Sequence, residues 1–128
     1  MGSHADEIKL CMEEAIIHLQ AARDDLEKSQ FEAAASRAAD SAIQIARALL
    51  WDEDIDPEQQ GDVRSLLQEI FVNGRRLTKE QGANVSWLLG LKKADSQGSV
   101  KAVSPEEAHR AVEIAGSFLE AAKVILEG

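Results

Sequence analysis

Apolar residues recur every three or four positions from the start of the chain, which is the spacing of one face of an α-helix. No stretch shows the strict apolar and polar alternation that is typical of a β-strand. The pattern therefore predicts a first helix over residues 6–28. Its apolar stripe consists of Ile8, Met12, Ala15, Leu19, Ala22 and Leu26.

A second helix is predicted to begin directly after Ser29. Serine is a favoured N-cap residue, and Glu32, three positions later, would complete a capping box. Alanine dominates the inward face of this helix, which allows a neighbouring helix to approach closely. The residues of that face are Phe31, Ala34, Ala38, Ala42, Ile45 and Leu49.

The third helix is predicted from the pair Asp56 and Pro57. This pair combines an N-cap with a proline at the first helical position. We expect the helix to reach Val72 and to end at the asparagine and glycine of residues 73–74, which are typical of a helix C-terminus.

The fourth helix is predicted to open at Thr78, with Gln81 as the partner of a second capping box. Its apolar positions continue to about Ala94. Residues 95–103 contain glycine and serine and have no strong period, so they are predicted to form a loop.

The fifth helix has the clearest start signal, in which Ser104 and Pro105 are followed by Glu107. We expect this helix to reach Leu126. It carries two apolar stripes, so it is either central in the bundle, which we favour, or shared with a partner. The stripes are Ala108, Val112, Ala115, Leu119, Ala122 and Leu126, and Ile114, Phe118 and Ile125.

These patterns predict an all-α protein, an up-and-down bundle of about five helices. A chain of 128 residues fits one domain, so we expect a single domain over residues 1–128, with residues 1–5 as a flexible N-terminus. No apolar stretch approaches the roughly 18 residues that a membrane span requires, and no membrane contact is expected.

Composition narrows the classes of function. The chain has 23 acidic and 14 basic residues, a formal net charge of −9, which argues against a surface built for phosphate backbones. Aromatic residues make up only 4% of the chain, so platforms for base stacking are not expected. Cys11 is the one cysteine, which excludes an intrachain disulfide and indicates a reduced, cytoplasmic setting.

No metal or cofactor site is predicted. Asp52, Asp54 and Asp56 are spaced like the start of a calcium loop, but Pro57 stands where that loop needs glycine and Val63 where it needs glutamate. His18 and His109 have only Glu14 and Glu113 at helical spacing, pairs that are more often local electrostatics than metal ligands. No phosphate-binding glycine loop or nucleophile motif is present.

Basic residues concentrate between positions 75 and 101, where six bases accompany two acids. One interpretation is a basic end that meets RNA or the phosphate of a nucleotide. The other is that these side chains offset the dipoles of helix C-termini. The candidate binding residues are Arg75, Arg76, Lys92 and Lys93.

The order of these segments resembles the HEPN domain, and more closely the small stand-alone HEPN proteins of bacteria and archaea. Residues 36–40, Ser-Arg-Ala-Ala-Asp, resemble the family's Ser-Arg-x-Tyr-Tyr-Ala, and residues 46–50 resemble its Ala-x-x-Leu-Leu turn. Three later segments also carry the resemblance. Residues 92–95 stand in the place of the family's Arg-x-x-Ala-Asp-Tyr string. The other two segments are residues 70–78, with Gly74, and residues 104–108 together with Ala115, Phe118 and Leu119.

The resemblance implies a bundle of four or five helices that commonly forms a homodimer. It also implies pairing with a small nucleotidyltransferase in toxin–antitoxin modules, and metal-independent ribonuclease activity in active members. The catalytic signature of the family is arginine, four to six residues, then histidine. Such a histidine can exchange a proton with the 2′-hydroxyl while the arginine holds the phosphate.

This signature is absent, because no arginine precedes a histidine at that spacing. Arg37 and Asp95 alone keep polar identities of the family, so they are the candidate catalytic residues, and the resemblance implies that they lie close in space. We therefore expect a non-catalytic HEPN-like interaction protein. The alternatives are a metal-independent ribonuclease with a non-standard site, which combines these residues with Arg75 or Arg76, and a nucleotide-binding module that uses the basic segment.

Overall fold

The computed structural model describes residues 4–58, 62–93 and 103–128. Those ranges contain helices and turns and no strand, so the predicted all-α bundle of about five helices is confirmed. The helices are α1 (Ala5–Glu27), α2 (Phe31–Asp52), α3 (Val63–Leu67), which continues as a π-helix (Gln68–Val72), α4 (Lys79–Lys93) and α5 (Pro105–Glu127).

Successive long helices run in opposite directions. Only residues 28–30 join α1 to α2, so these two helices form an antiparallel hairpin. Lys92, at the end of α4, contacts Ser36 near the start of α2. Arg110, near the start of α5, lies over the ring of Trp87 towards the end of α4, 4.2 Å from its centroid. The bundle is therefore up-and-down.

The core is built around α2, the helix that contacts all the others. Ser41 Oγ on α2 donates to the carbonyl oxygen of Ala15 on α1 at 2.7 Å, so the two backbones lie very close. Ile114 and Phe118, from the second stripe of α5, are also buried, and Ile125, the third residue of that stripe, is partly buried against the core. The fully buried alanines of α2 are Ala34, Ala35, Ala38, Ala39, Ala42, Ala46 and Ala48.

The prediction that Ser29 caps α2 was wrong. The N-cap is Gln30, whose side chain makes no capping hydrogen bond. Ser29 has a φ of 58° and closes α1 instead. Its N–H donates to the carbonyl of Leu26, and the N–H of Gln30 donates to the carbonyl of Asp25, which is the Schellman pattern of a helix C-terminus. A residue in this left-handed conformation cannot take the extended backbone of an N-cap.

The third helix begins later than predicted. Pro57 lies in a turn, in which the Oδ1 atom of Asp56 accepts a hydrogen bond from the N–H of Glu58 at 2.9 Å. The N-cap of α3 is Asp62, whose side chain accepts from the N–H of Arg64. An aspartate followed by proline suits a turn as well as a helix start, so the local signal did not separate them.

The end of the third helix near Val72 is as predicted, but its geometry is different. The N–H of Asn73 donates to the carbonyl of Gln68, five residues earlier, which is the spacing of a π-helix. The residue in the left-handed region is Arg75, with a φ of 65°, and not Gly74.

The capping boxes of α4 and α5 are confirmed. Thr78 and Gln81 exchange hydrogen bonds of 2.8 Å and 3.0 Å, and Ser104 and Glu107 exchange bonds of 3.0 Å and 3.1 Å. The loop predicted over residues 95–103 falls outside the described residues except for its last position.

Polar contacts place α4 close against the third helix. Gln68 Nε2 donates to the carbonyl of Gly82 at 3.0 Å, and Arg64 Nε donates to Ser86 Oγ at 2.7 Å. A Cβ atom added at Gly82 would lie 2.5 Å from Cγ2 of Val72, so this position needs glycine for the helices to approach.

Candidate functional site

Arg37 faces α1 and pairs with a carboxylate that the sequence did not indicate. Its Nε atom lies 2.9 Å from Oδ2 of Asp25; the Arg37 side chain is 50% exposed and that of Asp25 13%. The contact is an ion pair and not a directed hydrogen bond, since this shielded oxygen meets no donor in hydrogen-bonding geometry. Many acidic residues lie on α1, so only the packing of α1 against α2 selects Asp25.

Ser36, the neighbour of Arg37, faces a different helix. Its Oγ atom accepts a hydrogen bond of 3.0 Å from Nζ of Lys92 on α4, and the same Nζ lies 3.3 Å from Oδ1 of Asp40. The two residues of the Ser-Arg motif therefore join α2 to two separate helices. Asp95, the other candidate catalytic residue, lies outside the described residues, so its predicted proximity to Arg37 stays a prediction.

The basic segment does not form one continuous patch. Arg75 and Arg76 precede α4, whereas Lys92 and Lys93 end it, and a helix of 15 residues separates the two pairs by about 22 Å. Arg76 forms an ion pair with Glu53, and its guanidinium lies 4.5 Å from the centroid of a phenylalanine ring. Among the described residues, the candidate binding residues therefore lie at two separate positions, and binding of RNA or a nucleotide stays a prediction.

No metal site is formed by the described residues, since nowhere among them do three or more histidine, cysteine or acidic side chains come together. His109 Nδ1 lies 2.9 Å from the carbonyl oxygen of Pro105. His4 packs on Trp51 and its Nε2 atom lies 3.3 Å from Asp54. His4 is thus placed against the bundle, and the flexibility expected of residues 1–5 stays a prediction.

The helical bundle as a whole matches a known family. The family model of the HEPN domain matches residues 8–125. The chain belongs to the HEPN domain family. No curated protein matches the chain at a significant level. The HEPN match spans all five helices, so the resemblance of the separate motifs reflects the whole fold.

In this HEPN domain the family's arginine-histidine signature is missing from the full sequence. Arg37 makes no hydrogen bond or ion pair with a histidine in the described parts of the chain. The polar groups at the Ser-Arg motif instead connect helices to one another.

Cys11 is the one nucleophilic thiol of the HEPN domain, and it is buried on α1. Burial raises the pKa of the Cys11 thiol, and the guanidinium of Arg47 opposes this in part through its charge and a hydrogen bond. Arg47 is itself held by Glu58 at 2.9 Å. The raised pKa keeps the thiol protonated and therefore poorly nucleophilic at neutral pH.

The stability of the HEPN domain is expected to fall as the pH rises above the ordinary thiol pKa of about 8.5. The folded thiol keeps its proton to a higher pH than the unfolded thiol, so its contribution is present below the unfolded pKa and is lost as the pH rises through the folded pKa. Urea midpoints should therefore decline more steeply with pH for the wild type than for Cys11→Ala. Parallel declines would contradict this linkage.

A small pocket lies between α4 and α5, with a volume of about 200 Å³. Its floor is apolar and its rim carries amide, hydroxyl and carboxylate groups. The pocket is lined by Leu77, Gln81, Asn84, Val85, Glu113, Ile114, Ser117, Phe118 and Ala121.

Within the described ranges, none of the helices of the HEPN domain has the length and apolar character of a membrane span.

Proposed function

We propose that this HEPN protein acts by association and not by RNA cleavage, as the cytoplasmic HEPN partner of a small nucleotidyltransferase in a toxin–antitoxin-type module. The observation that carries the proposal is the use of Arg37. The candidate catalytic arginine, Arg37, forms an ion pair with Asp25 and makes no hydrogen bond or ion pair with a histidine in the described parts of the chain.

Ribonuclease chemistry without a metal needs two groups at one point. One must exchange a proton with the 2′-hydroxyl, and the other must stabilise the charge on the phosphate. The Asp25 carboxylate is close enough to Arg37 to compete with a phosphate for the guanidinium. The net charge of −9 also repels an RNA backbone.

The purified protein is therefore expected to leave single-stranded RNA intact in the presence of EDTA. The assay is gel analysis of end-labelled RNA with wild-type protein, Arg37→Ala and Arg23→Ala, the last as a control for the loss of one exposed positive charge. All three proteins should give the same background level of RNA degradation. Cleavage that survives EDTA, persists in Arg23→Ala and disappears in Arg37→Ala would contradict the proposal.

We propose a homodimer as the state in which the protein acts, because HEPN domains often dimerise. The alanine face of α2 is covered within the chain. The second stripe of α5, the other surface that could meet a partner, is buried at Ile114 and Phe118 and partly buried at Ile125. Among the described residues, the large apolar side chains that are exposed are Leu10, Ile16 and Ile17 on α1 and Val124 on α5.

Light scattering over a concentration series is expected to give twice the chain mass of 13.9 kDa. The family tendency to dimerise is the reason for this expectation. A particle that stays at 13.9 kDa up to about 100 µM would contradict the dimer.

The nucleotidyltransferase partner is tested by co-expression. A nucleotidyltransferase encoded beside this gene should co-purify with the protein at a fixed stoichiometry. Absence of a complex with such a neighbour would remove the partner from the proposal and leave the RNA prediction standing.

The two alternative functions have less support. A ribonuclease that combines Arg37 with Arg75 or Arg76 would need to join groups at opposite ends of α4. A nucleotide site at Lys92 would need that ammonium group to leave Ser36 and Asp40.

A further inference from the structure

The outer face of α1 exposes two large apolar side chains that the bundle does not cover. Leu10 is 58% exposed and Ile17 66% exposed. They are seven residues apart, so they lie on the same side of the helix, two turns or about 10.5 Å from each other. The core residues Ala15 and Leu19 occupy the opposite side.

Acidic side chains form a rim around this apolar pair. The four neighbours of Leu10 at helical spacings of three and four are all carboxylates, and two of them also border Ile17. Lys9, the base nearest to Leu10, is directed about 100° away around the helix. The exposed rim residues are Asp6, Glu7, Glu13 and Glu14.

The rim carboxylates are available to a partner. Glu7 lies 4.0 Å from a ring nitrogen of His4, and Asp6, Glu13 and Glu14 form no ion pair among the residues that the structure describes. A partner surface that carries positive charge would therefore gain a favourable electrostatic interaction with these carboxylates.

We infer that this acidic-rimmed face of α1, with Leu10 and Ile17 at its centre, is a docking surface for a protein partner that presents an apolar ridge flanked by lysine or arginine. The inference deepens the proposed function and rests on it, since it states what kind of surface the partner must present. The apolar centre supplies the affinity, and the carboxylates select the partner and speed its association.

A second copy of the chain fits this face poorly. A two-fold contact through Leu10 and Ile17 would set the carboxylates of one copy against those of the other, and each copy already carries a net charge of −9. A nucleic acid or an anionic membrane would meet the same repulsion. A basic amphipathic surface is the occupant that complements both the apolar centre and the rim.

The test uses the full-length protein and two labelled helical peptides with the same leucine ridge, one flanked by lysine and the other by glutamate. Fluorescence anisotropy should show binding of the lysine-flanked peptide, with an affinity at least about tenfold higher than that of the glutamate-flanked peptide. This preference should decrease with added salt, because exposed charges are screened.

Three variants locate the binding. Ile17→Glu should lower the affinity for the lysine-flanked peptide by about tenfold or more, as expected for a central apolar contact. Val124→Glu makes the same change at an apolar side chain of α5 that is 70% exposed, and should have no effect. Combined Glu13→Lys and Glu14→Lys should abolish the preference between the two peptides, because the rim then carries two positive and two negative side chains. Far-ultraviolet circular dichroism checks that each variant is folded.

The inference is overturned if both peptides bind equally, or if Ile17→Glu binds like the wild type. It is also overturned if Ile17→Glu converts a dimer to a monomer in light scattering, since a second copy would then occupy the face. A nucleotidyltransferase complex that Ile17→Glu does not disturb would refute the surface and leave the proposed function standing. Binding of the lysine-flanked peptide without formation of a nucleotidyltransferase complex would support the surface and contradict the proposed function.

Discussion

Replacing Phe71 with alanine is expected to lower the free energy of unfolding by about 3–5 kcal/mol. The Phe71 side chain is fully buried in the π-helical segment, where its ring fills the core and supports the guanidinium of Arg76. The variant loses the transfer free energy of the ring. It also leaves a cavity that the surrounding helices cannot fully fill by moving inward. Urea denaturation followed by circular dichroism measures the change.

Two further variants serve as controls for this result. Phe71→Leu keeps most of the volume and should lose no more than about 1.5 kcal/mol. Phe31→Ala removes a ring that is only partly buried, at the first residue of α2, and should have a smaller effect than Phe71→Ala. Equal losses for Phe31→Ala and Phe71→Ala would contradict the central position of Phe71.

Replacing Ser41 with leucine is expected to destabilise the protein by about 2–4 kcal/mol. Ser41 is fully buried, and its Oγ atom lies 2.7 Å from the carbonyl oxygen of Ala15. No space remains there for a larger side chain, so the added carbons force α1 and α2 apart. The loss of the hydrogen bond adds to the effect.

Ser41→Ala separates these two contributions. It removes the hydroxyl without adding volume and should lower the free energy of unfolding by about 1 kcal/mol. If Ser41→Leu and Ser41→Ala have equal effects in urea denaturation, close packing between α1 and α2 is not the source of the loss.

Part of the fold was predictable because its causes are local. The capping boxes at Thr78 and Ser104 depend on side chains three residues from the cap, and the stripe of α1 depends on the helical period alone. Local signals failed where one residue suits two structures. Ser29 served as the end of α1 and not as the start of α2, and Asp56 stabilised a turn.

The candidate site was less predictable than the fold. The sequence showed that the arginine-histidine signature is missing and pointed to Arg37 as a retained polar residue. It did not identify Asp25 as the partner of Arg37, or the contact of Arg64 with Ser86. These pairs join residues on different helices, and each partner is one of several similar side chains in the sequence.

By itself, the sequence determined the helical class, the capping boxes of α4 and α5 and the family resemblance, because each depends on spacing along the chain. The tertiary structure alone decided which apolar surfaces stay exposed. The alanine face of α2 is covered, and Ile114 and Phe118 of α5 are buried, whereas Leu10 and Ile17 remain on the surface of α1. A helix can bury only the sides on which neighbours pack, and that choice follows from how the five helices share one core.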